Sequence, residues 1–150
     1  MTPITEIKIR GYHLDVYGHV NNARYLEFLE EARWALFEEH FDIERWQERN
    51  LGFFIVSITI QYRKPVLLGD VLRIGTYVSR FGTKSAVFTQ QISSAKSGQP
   101  VAEADITFVL ADLKTGRAVP IDGELKEALE RFCPDGDCSN VTEGPTPPGR

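Results

Sequence analysis

Histidine is scarce in this chain, with only His13, His19 and His40 among 150 residues. Four widespread catalytic signatures are absent: the G-x-S-x-G elbow, the P-loop, the G-x-G-x-x-G turn and the H-E-x-x-H helix. A Ser-His-Asp triad would have to draw its serine from a distant strand, and no sequence feature supports one. Long apolar runs are missing as well. None exceeds four residues, as in Phe53-Phe54-Ile55-Val56, too short to span a bilayer, and MTPITEIKIR has no apolar core of a secretory signal. No Lys/Arg-rich run occurs and the formal net charge is −4, which disfavours nucleic acid as a partner. Only two cysteines are present, Cys133 and Cys138, in CPDGDC. Such a pair is compatible with a small disulfide but supplies only half of a zinc site, and we read it as incidental. A cytoplasmic protein with no membrane segment and no metal is expected.

What is present is one domain's worth of periodic sequence. Thr5 to Tyr12 alternates as a half-buried strand, Ile7 and Ile9 against Lys8 and Arg10. A turn-like stretch, Asp15 to His19, leads to Asn21-Asn22, either of which can cap a helix. From Ala23 to about Phe41 the period is helical, with Tyr25, Leu29, Ala32 and Leu36 on one stripe flanked by Phe28 and Ala35. Leu26, Trp34, Phe37 and Phe41 form a second apolar side, so this helix needs more than one neighbour. Ile43 to Asn50 reads as a short helix or turn.

Four longer strands are expected over residues 53–63, 71–79, 84–93 and 101–113, punctuated by Gly69-Asp70, Phe81-Gly82, Ser97-Gly98 and Thr115-Gly116. In the first of them Val56, Ile58, Ile60 and Tyr62 share a face. A short strand from Arg117 to Ile121 and a helix over about 123–132 follow. The order describes an α+β domain over residues 1–133, an antiparallel sheet packed on one long helix. Residues 134–150, rich in Pro and Gly with little to bury, are expected to be a disordered tail.

Chemistry concentrates just before the long helix, at His13, Asp15, Tyr17, His19, Asn21 and Asn22. The first N–H groups of a helix lack intrahelical partners and carry positive potential, so they stabilise an oxyanion nearby. Gly18 lets the chain fold back, so one segment presents both a carboxylate and such an N–H. Read without wider context, the same Asp and Asn residues also make good turns and caps.

Three motifs carry more. Residues 14–33, from Leu14-Asp15-Val16-Tyr17-Gly18-His19-Val20-Asn21-Asn22 through Tyr25 to Glu30-Glu31-Ala32-Arg33, resemble the D-x-x-G-H-V-N-N-x-x-Y-…-E-x-A-R signature of hotdog-fold thioesterases of the 4-hydroxybenzoyl-CoA-thioesterase-like type. Tyr62 to Asp70 resembles that group's Y-x-x-P-x-x-x-G-D segment, and Thr115 to Ile121 its T-G-(K/R) ending. The resemblance implies a curved sheet wrapped around a central helix, assembled into homodimers or homotetramers with sites at the dimer interface. It implies hydrolysis of an acyl-CoA thioester, with Asp15 as nucleophile or general base and the N–H at Asn22 polarising the carbonyl. Tyr25 matches the motif tyrosine and is assigned to substrate binding.

Relatives associated with the Tol–Pal envelope system carry histidine where this chain has Asn22 and tyrosine where it has Gly11. Here His19 is the imidazole left to assist. Plant acyl-carrier-protein thioesterases share Asp15, His19, Asn21 and Asn22 but have asparagine at Tyr17. For the CoA phosphates, the turn bearing Arg80, Gly82, Thr83 and Lys84 offers two cations and backbone N–H groups, and a plain solvated turn is the other reading. No cofactor is implied. The competing functions are an acyl-carrier-protein thioesterase, which the acidic net charge disfavours, and a non-catalytic acyl-binding dimer.

Overall fold

The computed structural model describes residues 1–134 and Cys138. Strand β1 (Ile4–Lys8) comes first, and the chain then tightens into a 3-10 turn (Gly11–His13) where the alternating pattern had suggested continued strand to Tyr12. Helix α1 (Asn22–His40) and a short helix α2 (Ile43–Glu48) follow. Next come β2 (Leu51–Tyr62), β3 (Val71–Phe81), β4 (Ser85–Ser94) and β5 (Pro100–Asp112), and then helix α3 (Gly123–Glu130). The expected strand at 117–121 is instead a single bridge between Ala111 and Ala118, because beyond Val119 the chain leaves β5 and Ile121 N–H donates to the Thr83 carbonyl.

All five strands form one antiparallel sheet in the order β1-β3-β4-β5-β2, so β2 is an edge. This is the α+β hotdog architecture that the motifs imply, a curved sheet against a long helix. Tyr25, Phe28, Leu29, Ala32 and Leu36 of α1 pack on Ile74, Val78, Phe88, Ile92, Ile106 and Phe108 of the sheet. Aromatic contacts tie the layers together. Phe88 and Phe108 stack at 4.6 Å, and Phe37 reaches Phe53 at 5.4 Å. Phe37 and Phe41 of the second apolar side thus join the core, whereas Leu26 and Trp34 stay substantially exposed.

Arg33 is also buried, which an amphipathic count does not anticipate for a charged residue. Its guanidinium donates to Gln90 Oε1 (2.8 Å), and Gln90 Nε2 donates to the Leu29 carbonyl and Thr76 Oγ1. Gln90 is fully enclosed, so these bonds satisfy groups that water cannot reach and pin α1 to the middle of the sheet.

In β2 the pairing slips between Ile55 and Ser57, leaving Val56 as an extra residue. Val56 therefore does not share a face with Ile58, Ile60 and Tyr62 as plain alternation predicts. Leu51, Phe53 and Ile55 face the helix before the slip, and Ile58, Ile60 and Tyr62 after it.

The cysteine reading is corrected: Cys133 and Cys138 form a disulfide. The backbone after α3 is held against β3 by Val78 N–H donating to the Phe132 carbonyl, and Cys138 Sγ rests 2.9 Å from the Val78 carbonyl. That return places the two Cα atoms 5.4 Å apart, within bridging distance. The expected disordered tail otherwise falls outside the described residues. No helix among those residues is long and apolar enough to cross a membrane.

Candidate active site

Residues 13–21 form a miniature hairpin. Asn21 N–H donates to the His13 carbonyl (2.9 Å), Leu14 bridges Val20, and Asp15 N–H donates to the His19 carbonyl (2.8 Å). Gly18 takes a positive φ of 73°, which closes the turn at little steric cost. Asp15 Oδ1 accepts from the N–H groups of Tyr17 (2.9 Å) and His19 (3.3 Å). Its other oxygen, Oδ2, accepts nothing from the described residues. One oxygen organises the loop and the other is free to react. The turn-forming reading of Asp15 and the chemical one are therefore compatible.

The second motif braces this hairpin. Val20 N–H donates to the Val66 carbonyl, and His19 bridges Leu67. The 66–70 loop is itself held by Asp70 Oδ2, which accepts from Leu67 N–H, while Gly69 turns with φ 83° and donates to the Ile9 carbonyl. The G-D pair thus fastens β1, the start of β3 and the Asp15 hairpin to one another.

Helix α1 starts where the hairpin ends. Asn21 is the cap, its side chain accepting from Ala23 N–H at 2.9 Å. Asn22 is the first helical residue, so its N–H has no intrahelical acceptor and none appears among the described residues. Tyr62 Oη donates to the Asn22 carbonyl (3.0 Å) and its ring meets Tyr25 at 5.1 Å. The aspartate is two rungs of the hairpin from Asn21, about 7 Å along the strand. Asp15, His19 and Asn22 are therefore brought together. Tyr62 joins them, a residue whose only sequence signal was its place at the head of the second motif.

Tyr25 is buried, and burial, with Tyr62 second, pushes its phenol up to about 12, so it packs as a neutral ring. His13 is buried against Tyr12 and Phe28, and its Nδ1 accepts from Arg10 N–H (2.9 Å). Desolvation chiefly, then the nearby Arg24 and Arg10 charges, hold its pKa below the usual histidine value against the opposing Glu27. This imidazole is built into the hairpin's support.

Arg80, Gly82, Thr83 and Lys84 lie elsewhere. They form the β3–β4 turn, nine residues along β3 from the end that touches the Asp15 loop, about 30 Å away in the same chain. Gly82 N–H is already spent on the Ser85 carbonyl (2.8 Å), and Thr83 accepts from Ile121 N–H, so less of this turn's backbone is available than a free loop would offer. Among the described residues no group of His, Cys, Asp and Glu is arranged to hold a metal ion.

Comparison with known proteins identifies the family. The long-chain acyl-CoA thioesterase FadM of Escherichia coli K12 is 50% identical over 128 residues, covering 85% of this chain and 97% of that protein. The crystal structure of the E. coli probable thioesterase YbaW, also 50% identical, superposes with a TM-score of 0.81 over 86% of this chain and 97% of that one. The acyl-CoA thioester hydrolase YbgC of an E. coli O6:H1 strain is 31% identical over 107 residues, covering 69% of this chain and 79% of YbgC. A family model described as the thioesterase-like superfamily matches residues 9–129, from the end of the first strand to the last helix, and the chain belongs to that superfamily.

Proposed function

We propose that this protein is an acyl-CoA thioesterase, hydrolysing an acyl-CoA to the free acid and CoA thiol with Asp15 as its reactive carboxylate. The observation that carries the reading is the pairing of a free Asp15 Oδ2 with an unpartnered Asn22 N–H across one short hairpin. A thioester carbonyl seated at the helix start develops its negative charge toward the Asn22 N–H and the positive end of α1. Asp15 either attacks the carbonyl carbon, giving a mixed anhydride that water then opens, or takes a proton from the attacking water. In both routes one water is consumed, the C–S bond breaks and the departing thiolate is protonated. His19, half-exposed beside the carboxylate, is the group in reach for that proton. Similarity to FadM and YbgC favours CoA over a carrier protein as the thiol partner.

The functional unit in this proposal is a homodimer. Phe54, Ile55, Val56 and Ile58 on the β2 edge are 37–59% exposed, and an apolar edge strand invites pairing with a second copy. Tetramers would add a further contact to that pair. Because the Arg80–Lys84 turn is far from Asp15 in one chain, any contact it makes with the CoA phosphates comes from a second subunit. Cytoplasmic location completes the proposal, and the Cys133–Cys138 bond stands against it, since disulfides are rare in reducing compartments.

The test is an acyl-CoA panel of short, long and aromatic acyl groups with free-thiol detection, run beside the same acids on a carrier protein. Turnover of a CoA ester by the wild type and its loss in Asp15→Asn support the reading. Hydrolysis that survives in the variant removes Asp15 from the chemistry. A single turnover in 18O-water, followed by mass spectrometry of the Asp15 peptide, detects the anhydride route wherever water opens it at the aspartyl carbon, because the general-base route leaves the carboxylate unlabelled.

A further inference from the structure

The segment that leaves β2 touches both halves of the proposed site. Tyr62 closes the strand opposite Ala102 of β5, and the N–H groups of Arg63 and Lys64 both donate to the Val101 carbonyl (2.8 and 3.2 Å). The phenol is therefore mounted on the sheet. Its Oη donates to the Asn22 carbonyl at 3.0 Å, and its ring meets the buried Tyr25 edge-on at 5.1 Å. Four residues on, the Val66 carbonyl accepts from Val20 N–H at 3.0 Å, and Leu67 bridges His19. Between these grips lies Pro65, whose ring fixes its φ and leaves the segment little freedom to stretch or slacken.

The Tyr62 bond is not required to satisfy its acceptor. In the helical ladder the Asn22 carbonyl already takes the Leu26 N–H, so the phenol is a second donor to it. Its effect is mechanical. On the hairpin side the helix start is held by Asn21 N–H on the His13 carbonyl (2.9 Å) and by Arg24 Nη2 on the Tyr12 carbonyl (3.1 Å). On the sheet side, among the described residues, the Tyr62 bond is the one hydrogen bond made by the first turn. An oxyanion donor must stand within about 0.5 Å of its working position before the charge develops, and first turns fray readily unless tied.

We infer that Tyr62 is a positioning residue for thioester hydrolysis. Residues 62–67 fasten the helix start and the Asp15 hairpin to the same piece of sheet, and Tyr62 thereby sets the direction of the Asn22 N–H. It acts through Asn22, at the carbonyl, so its contribution is the same for every acyl group. This inference rests on the carbonyl position proposed above.

The test is Tyr62→Phe, which keeps the ring against Tyr25 and removes only the O–H. For octanoyl-CoA, palmitoyl-CoA and benzoyl-CoA alike, kcat is expected to fall at least about ten-fold with KM within about two-fold of wild type, the pattern of an interaction that counts only in the transition state. A kcat within about two-fold of wild type, a loss confined to one acyl group, or a rise in KM that accounts for the whole effect overturns the inference. So does a variant that fails to fold, since Tyr62 would then be structural.

Amide hydrogen exchange reads the tether without turnover. The Leu26 N–H, whose acceptor is the carbonyl that Tyr62 holds, is expected to exchange at least about five-fold faster in the variant, with Leu36 further along α1 unchanged. Equal exchange at Leu26 in the two proteins overturns the inference, as does faster exchange without loss of kcat. Absence of hydrolysis of every acyl-CoA by the wild type refutes the proposed activity instead, and the exchange comparison still decides whether Tyr62 holds the helix start.

Discussion

Asp15 and His19 are bonded to each other twice: the Asp15 N–H donates to the His19 carbonyl at 2.8 Å, and the His19 N–H donates to Asp15 Oδ1 at 3.3 Å. Replacing the carboxylate by an amide keeps an acceptor oxygen for the loop but removes the charge. Asp15→Asn should therefore melt within a few degrees of wild type and lose at least about 10²-fold in kcat. Asp15→Ala should lose activity and also about 1–2 kcal/mol of stability, because two N–H groups lose their acceptor. Thermal denaturation with steady-state kinetics on both variants separates the two roles of one side chain.

His13 gives the protein a defined pH response. Its pKa in the fold is held below the value of 6.5 expected when unfolded, chiefly by burial. Between those two values the unfolded chain binds the extra proton and the folded one does not, so stability rises with pH there. The contribution is complete above about pH 6.5 and is lost as the pH falls toward the folded pKa. Melting temperatures across pH 5 to 8 should decline on the acid side in the wild type, and less so in His13→Asn, which lacks the titrating group. Parallel curves would show that other groups govern acid sensitivity.

Gln90 and Arg33 form a buried pair without a carboxylate. Gln90→Leu strips Arg33 of its acceptor and Thr76 Oγ1 of its donor, and should cost about 3–5 kcal/mol. Adding Arg33→Met to that background removes the stranded charge and should recover part of the loss. Urea denaturation of the four proteins of this cycle measures the coupling. Additive losses would mean that the two side chains stabilise the core independently.

The β2 edge predicts a change of assembly. Val56 is 59% exposed on the unpaired side of the sheet, and Val56→Lys places a charge where a second β2 would lie. Light scattering coupled to gel filtration should show the wild type as a dimer or larger and the variant shifted toward monomer. A wild-type monomer at micromolar concentration would remove the dimer from the functional reading.

Much of this was legible before any coordinates, for a physical reason. The stripe through Tyr25, Leu29, Ala32 and Leu36 and the alternation through β3, β4 and β5 are imposed by burial against one shared core. The hairpin around Asp15 was also readable, because its tight turn needs a side-chain acceptor and a glycine at those positions. What escaped depends on contacts between distant segments. The burial of Arg33 requires Gln90 from a strand fifty-seven residues away. The disulfide requires the chain beyond α3 to fold back on Val78. The 3-10 turn at Gly11–His13 replaces strand because His13 Nδ1 offers the Arg10 N–H an alternative acceptor. The separation of the Arg80–Lys84 turn from Asp15 follows only from strand order.

The extra residue at Val56 has the effect of a parity change within one strand. Odd-numbered side chains face the helix at the end near α2 and even-numbered ones at the end near Asn22, so Phe53 stacks on Phe37 while Tyr62 holds the helix start. Were Val56 instead drawn into regular pairing, a single strand could not keep both in place: with Tyr62 at Asn22, Phe54 would take the inward place of Phe53 and Phe37 would lose the ring it stacks on.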